Sequence, residues 1–231
     1  MSEELLAEFS LNGMQFAQFE QYYQLLVEKN KVMNLTAITA KHEVYSKHFY
    51  DSLTVSKVID FQNVNTVIDV GTGAGFPGIP LKILFPHLQL TLLDSLLKRV
   101  HFLQEVGETL GFDHVTYVHG RAEELGQLAD YRQQYDLGVS RAVAKLNVLT
   151  EYGVPFIRVG GQFVAMKGAA IDEELATANR ALATLGKIEV TTYPLSLPEN
   201  MGQRHLVVLK KQQPTPKKYP RKAALMKKNP L

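Results

Sequence analysis

Val67-Ile68-Asp69-Val70-Gly71-Thr72-Gly73-Ala74-Gly75-Phe76-Pro77-Gly78 carries an apolar strand into a cluster of glycines, and from there into a helical pattern led by Pro80. Glycines at such a turn let the backbone approach a ligand and aim N–H groups at it beside a helix N-terminus. Residues 73–78 satisfy the G-x-G-x-x-G string, so a dinucleotide site has to be weighed, but a lone match of that kind is a weak signal. Three details favour S-adenosylmethionine instead. Asp69 lies inside the strand end, where a dinucleotide loop prefers apolar residues and where a carboxylate suits water or an ammonium group. The glycines at 71, 73 and 75 alternate more densely than a pyrophosphate turn requires. Finally, no basic residue lies between Asp69 and Leu81, as an anionic ligand would favour. Asp94 ends the next strand pattern, 23 residues after Gly71, placed to accept hydrogen bonds from ribose hydroxyls. Both nucleotide readings use that acid, so it argues for a nucleoside without choosing between them.

Outward from the loop, the chain alternates strand and helix patterns. Strands are expected at 66–70, 89–94, 115–119, 135–140, 161–166, 188–193 and 206–210, several of them unbroken apolar runs of the kind covered on both faces. Helical spans such as 96–110 lie between the early ones, which predicts an open, doubly wound, mostly parallel α/β sheet. The last two strands are joined through a loop from Pro194 to Pro198 without a helical pattern, which predicts an antiparallel hairpin at the end of the sheet. Before the sheet, Phe16, Phe19, Tyr23, Leu26 and Val27 fall at helical steps, and a second helical pattern covers 41–59. Asn34-Leu35-Thr36-Ala37 reads as the turn between them. The expected organisation is an N-terminal helical region at 1–62, a nucleoside-binding domain at 63–211 and a basic C-terminal tail at 212–231.

Two hundred and thirty-one residues, 45% of them hydrophobic, suit one domain with a substantial core and exclude a disordered chain. Cysteine is absent, which excludes a disulfide frame, a thiolate metal site and a cysteine nucleophile, and suits a reducing cytosol. The acidic start lacks a signal-peptide pattern, and no run of about 18 apolar residues occurs, so a soluble cytoplasmic protein without a membrane partner is expected. Charge is distributed unevenly. Arg204, Lys210, Lys211, Lys217, Lys218, Arg221, Lys222, Lys227 and Lys228 follow Asn200 with no acid among them, while the preceding chain holds all 23 acidic residues. A phosphate backbone is the commonest partner for such a tail, and a solvated surface is the plain alternative.

Two further loops border the expected pocket. Ala122 and Glu123, after the third strand, are placed to meet an adenine edge, and acids there also suit the first turn of a helix. Arg141 sits at the carboxyl end of the fourth strand, where open α/β sheets bind ligands, and can serve a carboxylate, a base or a phosphate. His48 and Asp51 are three apart on a helix, suited to a local hydrogen-bonded pair, and with His42 they make a poor metal site, so no metal is expected.

Several blocks occur together and in order: Asn34-Leu35-Thr36-Ala37, His48-x-x-Asp51-Ser52-Leu53, Asp69 through Pro80, Asp94-x3-Lys98-Arg99 and Gly120-Arg121-Ala122-Glu123-Glu124. Over nearly its whole length the chain resembles the bacterial 16S rRNA guanine-N7 methyltransferases, the glucose-inhibited division protein B family. The resemblance implies a Rossmann-like class I methyltransferase that uses S-adenosylmethionine. Its implied partner is 16S rRNA or a small-subunit ribosomal particle, and the expected state is a monomer. It places cofactor contacts on Gly71, Phe76, Ala122, Glu123 and Arg141, beside the Gly73, Gly75 and Asp94 already singled out by the loop. Lys98, Arg99, Lys167, Arg204, Lys217, Lys218, Arg221 and Lys222 are candidates for phosphate contact. Two positions depart from the family pattern: Lys29 stands where a Trp is common, and Ala223-Ala224-Leu225-Met226 replaces a Gly/Pro-rich stretch. Guanine N7 carries a lone pair and no proton, so no general base is expected. A small-molecule or protein methyltransferase, a nicotinamide dehydrogenase and a non-enzymatic RNA chaperone are the competing readings.

Overall fold

A computed structural model describes residues 4–231. Its strands are β1 (Thr66–Val70), β2 (Gln89–Asp94), β3 (Val115–His119), β4 (Tyr135–Arg141), β5 (Ile157–Lys167), β6 (Glu189–Ser196) and β7 (Gln203–Lys210). They form one sheet in the order β3-β2-β1-β4-β5-β7-β6. The first five run parallel, β7 pairs antiparallel with β5, and β6 with β7. Helices α1 (Gly13–Met33), α2 (Lys41–Val44) and α3 (Asp51–Leu53) precede the sheet. Helices α4 (Gly78–Leu84), α5 (Leu97–Thr109), α6 (Ala122–Leu125), α7 (Leu146–Gly153) and α8 (Asp172–Thr184) connect its strands, and α9 (Ala223–Lys228) closes the chain.

Strict alternation along the strands divides the core in two. Val67, Leu90, Leu92, Leu137, Val139 and Val164 pack on one face with the N-terminal helices, α4 and α5. Ile68, Val70, Leu93, Phe163, Ala165 and Val207 pack on the other with α7 and α8. Side chains of period two buried on both faces explain why these strands read as continuous apolar runs.

The N-terminal helices share the first of these cores. Asn12 caps α1 reciprocally with Gln15: the Asn12 side chain accepts from Gln15 N at 3.0 Å and Gln15 Oε1 accepts from Asn12 N at 2.9 Å. Gln15 then donates across to the Ile83 carbonyl at 2.8 Å, and Tyr22 donates its hydroxyl to the Ala74 carbonyl at 2.5 Å. Burial pushes the Tyr22 hydroxyl pKa upward, which keeps it a donor. Between α2 and α3 the chain makes a π-helical stretch at Tyr45–Tyr50 that buries Tyr45 and Phe49 while turning His48 toward the strand ends.

Besides the broken helical pattern at 41–59 and the earlier start of β7 at Gln203, four details differ from the sequence expectations. The helix after the glycines begins at Gly78, and Pro80 falls in its first turn, where its missing N–H costs nothing. β5 begins already at Ile157, and its first part is irregular, with Gly160 at φ +83 and a β4–β5 register shift between Tyr135 and Leu137, which interrupts the pattern that the sequence shows from Gly161. β6 runs on through Pro194 to Ser196, which its edge position permits. The basic tail is no loose appendage. Thr215, Tyr219, Met226 and Leu231 are buried, and Arg132 donates to the carbonyls of Thr215 and Tyr219.

The tail's main anchor is electrostatic. Arg221 meets the buried Glu151 of α7 with both guanidinium and backbone: Nε and the main-chain N reach Oε1 at 2.8 Å, and Nη2 reaches Oε2 at 2.7 Å. Removing the guanidinium leaves a buried carboxylate uncompensated. Arg221→Ala is therefore expected to lower the unfolding free energy by about 3 kcal/mol in urea titration. A change under about 0.5 kcal/mol, the usual effect of a surface substitution, would contradict the docking.

Candidate functional site

The chain crosses from the β3 edge back to β4, which pairs with β1. That reversal opens a crevice beyond the carboxyl ends of β1 and β4, the usual ligand position in such sheets. The glycine loop lies at its floor, and two carboxylates hold the loop in shape. Asp69 Oδ2 accepts from the Thr72 hydroxyl at 2.7 Å and from Gly78 N at 2.8 Å. Asp94 Oδ2 accepts from Gly73 N at 2.9 Å, while its Oδ1 accepts from Leu96 N at 2.9 Å. Asp69 is fully buried, and burial pushes its carboxyl up to about 7 against the two hydrogen bonds that favour ionisation. Gly71 and Gly73 have φ of +71 and +63, a region in which other residues are strained.

A cavity of about 390 Å³ opens from this loop. Val70 and Gly71 from β1, Leu93, Asp94 and Ser95 from β2, and Gly120 to Glu123 after β3 form its walls. Ala142 and Val143 after β4, Tyr152 of α7, Arg99 of α5 and Lys227 of α9 complete it. Its size suits a small molecule. A β-carbon at Gly71 would lie 2.6 Å from Val143 Cγ2, so the glycine leaves room for the loop that roofs the cavity. Asp94 still has acceptor capacity on Oδ1, and Glu123 adds a second, mostly buried carboxylate.

A second cavity, about 650 Å³, adjoins the first and shares Ala142 and Val143 with it. Lys47, Arg141, Lys145, Lys167 and Arg204 line it, against the acids Asp51 and Glu174. Arg141 is its organising side chain. Nη1 donates to Asp51 Oδ2 at 3.1 Å and to the Lys47 carbonyl at 3.0 Å, and Nη2 lies 3.2 Å from His48 Nδ1. The same Nδ1 lies 3.1 Å from the Lys47 carbonyl, and Nε2 lies 2.8 Å from Thr36 Oγ1. Burial, with the charge of Arg141 beside it, pushes the His48 imidazole down to about 3 and keeps it neutral. Phe76 supports the group from below, 4.8 Å from the Arg141 guanidinium and 4.6 Å from the His48 ring.

The structure brings Gly71, Asp94, Ala122 and Glu123 together around the first cavity and sets Gly73 beneath it, its N–H on Asp94. Gly75 and Phe76 lie elsewhere than the sequence suggested. A β-carbon on Gly75 would collide with Ile79 Cδ1 at 2.5 Å and Tyr22 Oη at 2.7 Å, so that glycine serves packing, and Phe76 is buried under the second cavity. Arg141 also belongs to the second cavity and not the first.

His48 and Asp51 do not pair locally: Arg141 joins them. Among the basic candidates, Arg204 lines the second cavity, and Lys217, Lys218 and Lys222 are exposed. Lys167 is held by Glu174 and the Ala144 carbonyl, both at 2.6 Å, and Arg221 by Glu151. Arg99 faces the first cavity, and Lys98 reaches the Met33 carbonyl at 3.3 Å. Tyr152 and Val143 escaped sequence reading, and Lys227 was legible only as one charge of the basic tail. Nothing in the local pattern gives them this place: Val143 lies in the loop after β4, and only the packing of α7 and α9 brings Tyr152 and Lys227 to the crevice. No group of side chains suited to hold a metal ion occurs among the described residues.

Residues 15–207 match the family model described as rRNA small subunit methyltransferase G. The chain is 52% identical to the ribosomal RNA small subunit methyltransferase G of an Exiguobacterium species, covering 99% of this chain and 97% of the relative. It is 48% identical to the protein of the same name from Bacillus subtilis, over 96% and 93% of the two chains. Among solved structures, an O-methyltransferase from Bacillus cereus in complex with SAH superposes with a TM-score of 0.58 at 14% identity, covering 82% of this chain and 91% of that one. A precorrin-6y C5,15-methyltransferase from Geobacter metallireducens gives a TM-score of 0.52 at 17% identity, covering 71% and 88%. These two likenesses are of fold.

Asp69→Asn keeps an acceptor for Thr72 and Gly78 and removes the titration. Asp69 binds its proton more tightly when folded than when unfolded, so the stability it contributes is lost as pH rises from about 4 to about 7. The stability of the wild type relative to Asp69→Asn is expected to decline across that interval in urea titrations, and a constant difference would contradict the burial. Asp69→Ala, which orphans the Gly78 N–H and the Thr72 hydroxyl, is expected to cost about 3 kcal/mol.

Proposed function

The chain belongs to the rRNA small subunit methyltransferase G family, and from that premise we propose that it methylates N7 of a guanine in 16S rRNA with S-adenosylmethionine bound in the cavity beyond β1. The observation that supports this reading best is the pair of adjoining cavities. One is walled by glycine backbone, the carboxylates of Asp94 and Glu123 and three cations at its edge (Arg99, Arg121 and Lys227), and the other carries five cations against two acids, with Ala142 and Val143 common to both.

The first cavity fits the donor. Asp94 at the end of β2 suits ribose hydroxyls, Ala122 and Glu123 suit the adenine edge, and Gly71 lets the main chain approach the amino-acid portion. The loop itself carries no cation, consistent with a ligand whose reacting centre is positive. When bound, S-adenosylmethionine supplies a methyl group on a sulfonium, which a ring nitrogen with a lone pair and no proton accepts without a general base.

What falls to the protein is alignment and exclusion of water. The second cavity is built for an anionic chain bearing a flat base. Lys145 meets phosphate, with Lys47 (paired to Glu43) and Arg204 (beside Asp51) adding positive charge, and Arg141 is held rigidly between Asp51, His48 and the Phe76 ring. The buried, neutral His48 titrates only near 3, so it fixes Arg141 throughout the physiological range and takes no proton from the substrate. No helix among the described residues is long and apolar enough to cross a membrane.

Nuclease digestion and mass spectrometry of 16S rRNA from a wild-type strain and one lacking this gene test the reaction. Loss of one N7-methylguanosine is expected, and an unchanged digest would refute the assignment. Gly71→Val tests the cavity. It forces a branched residue into φ +71 and drives its β-carbon against Val143, and calorimetry should show affinity for S-adenosylhomocysteine falling at least about tenfold. Undiminished affinity would exclude that cavity.

A further inference from the structure

Resting on the guanine-N7 reading, we infer that Asp51 reads the target base: its carboxylate, at the wall of the second cavity, accepts hydrogen bonds from the Watson–Crick edge of guanine. Asp51 is 2% exposed and lines that cavity but not the donor cavity. Its Oδ2 is taken by Arg141 at 3.1 Å. Its Oδ1 is buried and has no hydrogen-bond partner, although Arg204 Nε lies 3.4 Å away. A buried carboxylate oxygen without a donor is costly, and a ligand that brings one relieves the cost.

Guanine brings two donors, N1–H and the 2-amino group. Adenine presents an acceptor at N1 and no 2-amino group, so a carboxylate at this place repels it. N7 lies on the other side of the purine. A base that turns N7 toward the shared Ala142–Val143 wall therefore turns its Watson–Crick edge away from the donor cavity, toward a wall that only the second cavity has. Asp51, which lines the second cavity and not the first, is the carboxylate within reach of that edge.

The same contact favours the reaction. Methylation forms a bond between N7 and carbon, the electrons of the broken carbon–sulfur bond leave with sulfur, and no proton moves. The purine gains one positive charge while keeping N1–H and N2–H. Both become stronger donors as that charge develops, so a carboxylate facing them binds the transition state more tightly than the ground state. Arg141 holds Asp51 in place through Oδ2, and the charge of Arg204, 3.4 Å from Oδ1, balances that of the carboxylate without taking up that oxygen's hydrogen-bonding capacity.

The test uses RNA substrates that differ only at the methylated nucleotide, guanosine or inosine. Inosine keeps N7, O6 and N1–H and lacks the 2-amino group. With the wild-type enzyme, kcat/KM for inosine is expected to be at least about tenfold lower than for guanosine. In Asp51→Asn the guanosine rate should fall and the guanosine-to-inosine ratio should approach one, with S-adenosylhomocysteine affinity retained in calorimetry. A wild-type ratio near one overturns the inference with no protein variant needed. A wild-type-like ratio in Asp51→Asn also overturns it and leaves Asp51 a positioning residue for the arginines. Absence of any transfer to rRNA guanine by the wild type would instead overturn the proposed function itself.

Discussion

Two buried carboxylates hold the glycine loop open. Asp69 ties the loop's far end to the strand through Gly78 and Thr72, and Asp94 ties its middle through Gly73. A chain with this many glycines has more conformational entropy to lose on folding than any other kind, and these bonds confine it to the left-handed turns that a close-approaching ligand needs. The first cavity exists because the loop is pinned at those points. Asp69 supports the loop from the core, while Asp94 is shared between loop and cavity, so one carboxylate can serve shape and ligand together.

The crevice is completed from both faces of the sheet. From one side the π-helical stretch carries His48, and Asp51 just after it, to the end of β4, where Arg141 bridges them. From the other side α7 and the docked C-terminal segment bring Tyr152 and Lys227 to the first cavity, secured by the Arg221–Glu151 pair. Neither side alone makes a site. The N-terminal region supplies one wall of the second cavity and the C-terminal segment helps wall the first, with the carboxyl end of β4 and the loop after it between them.

The sequence was most informative where structure is local. β1, β2 and β3 coincide with their apolar runs, and Asp94 stands at the end of its strand as spacing required. It was least informative where distant segments meet. Gly75 looks like its neighbours 71 and 73, yet it faces Tyr22 of α1, a contact that no local pattern announces. The Pro194 in β6 looked like a loop because its edge position could not be known before strand order. The tail's charge was legible, but its buried Tyr219, Met226 and Leu231 are too widely spaced to show a period. Arg141 was found by its place after a strand, and its partners Asp51 and His48 by helical spacing. The long-range bond joining them emerged only from topology.

A donor cavity and an acceptor cavity that meet at Ala142 and Val143 are the core of this account. The most direct measurement is a crystal structure with S-adenosylhomocysteine bound. The account predicts the ligand between Gly71, Asp94 and Ala122, its ribose hydroxyls on Asp94 and its sulfur directed toward the wall shared with the cavity of Arg141. A ligand seated elsewhere, or with its sulfur turned away from that wall, would contradict it.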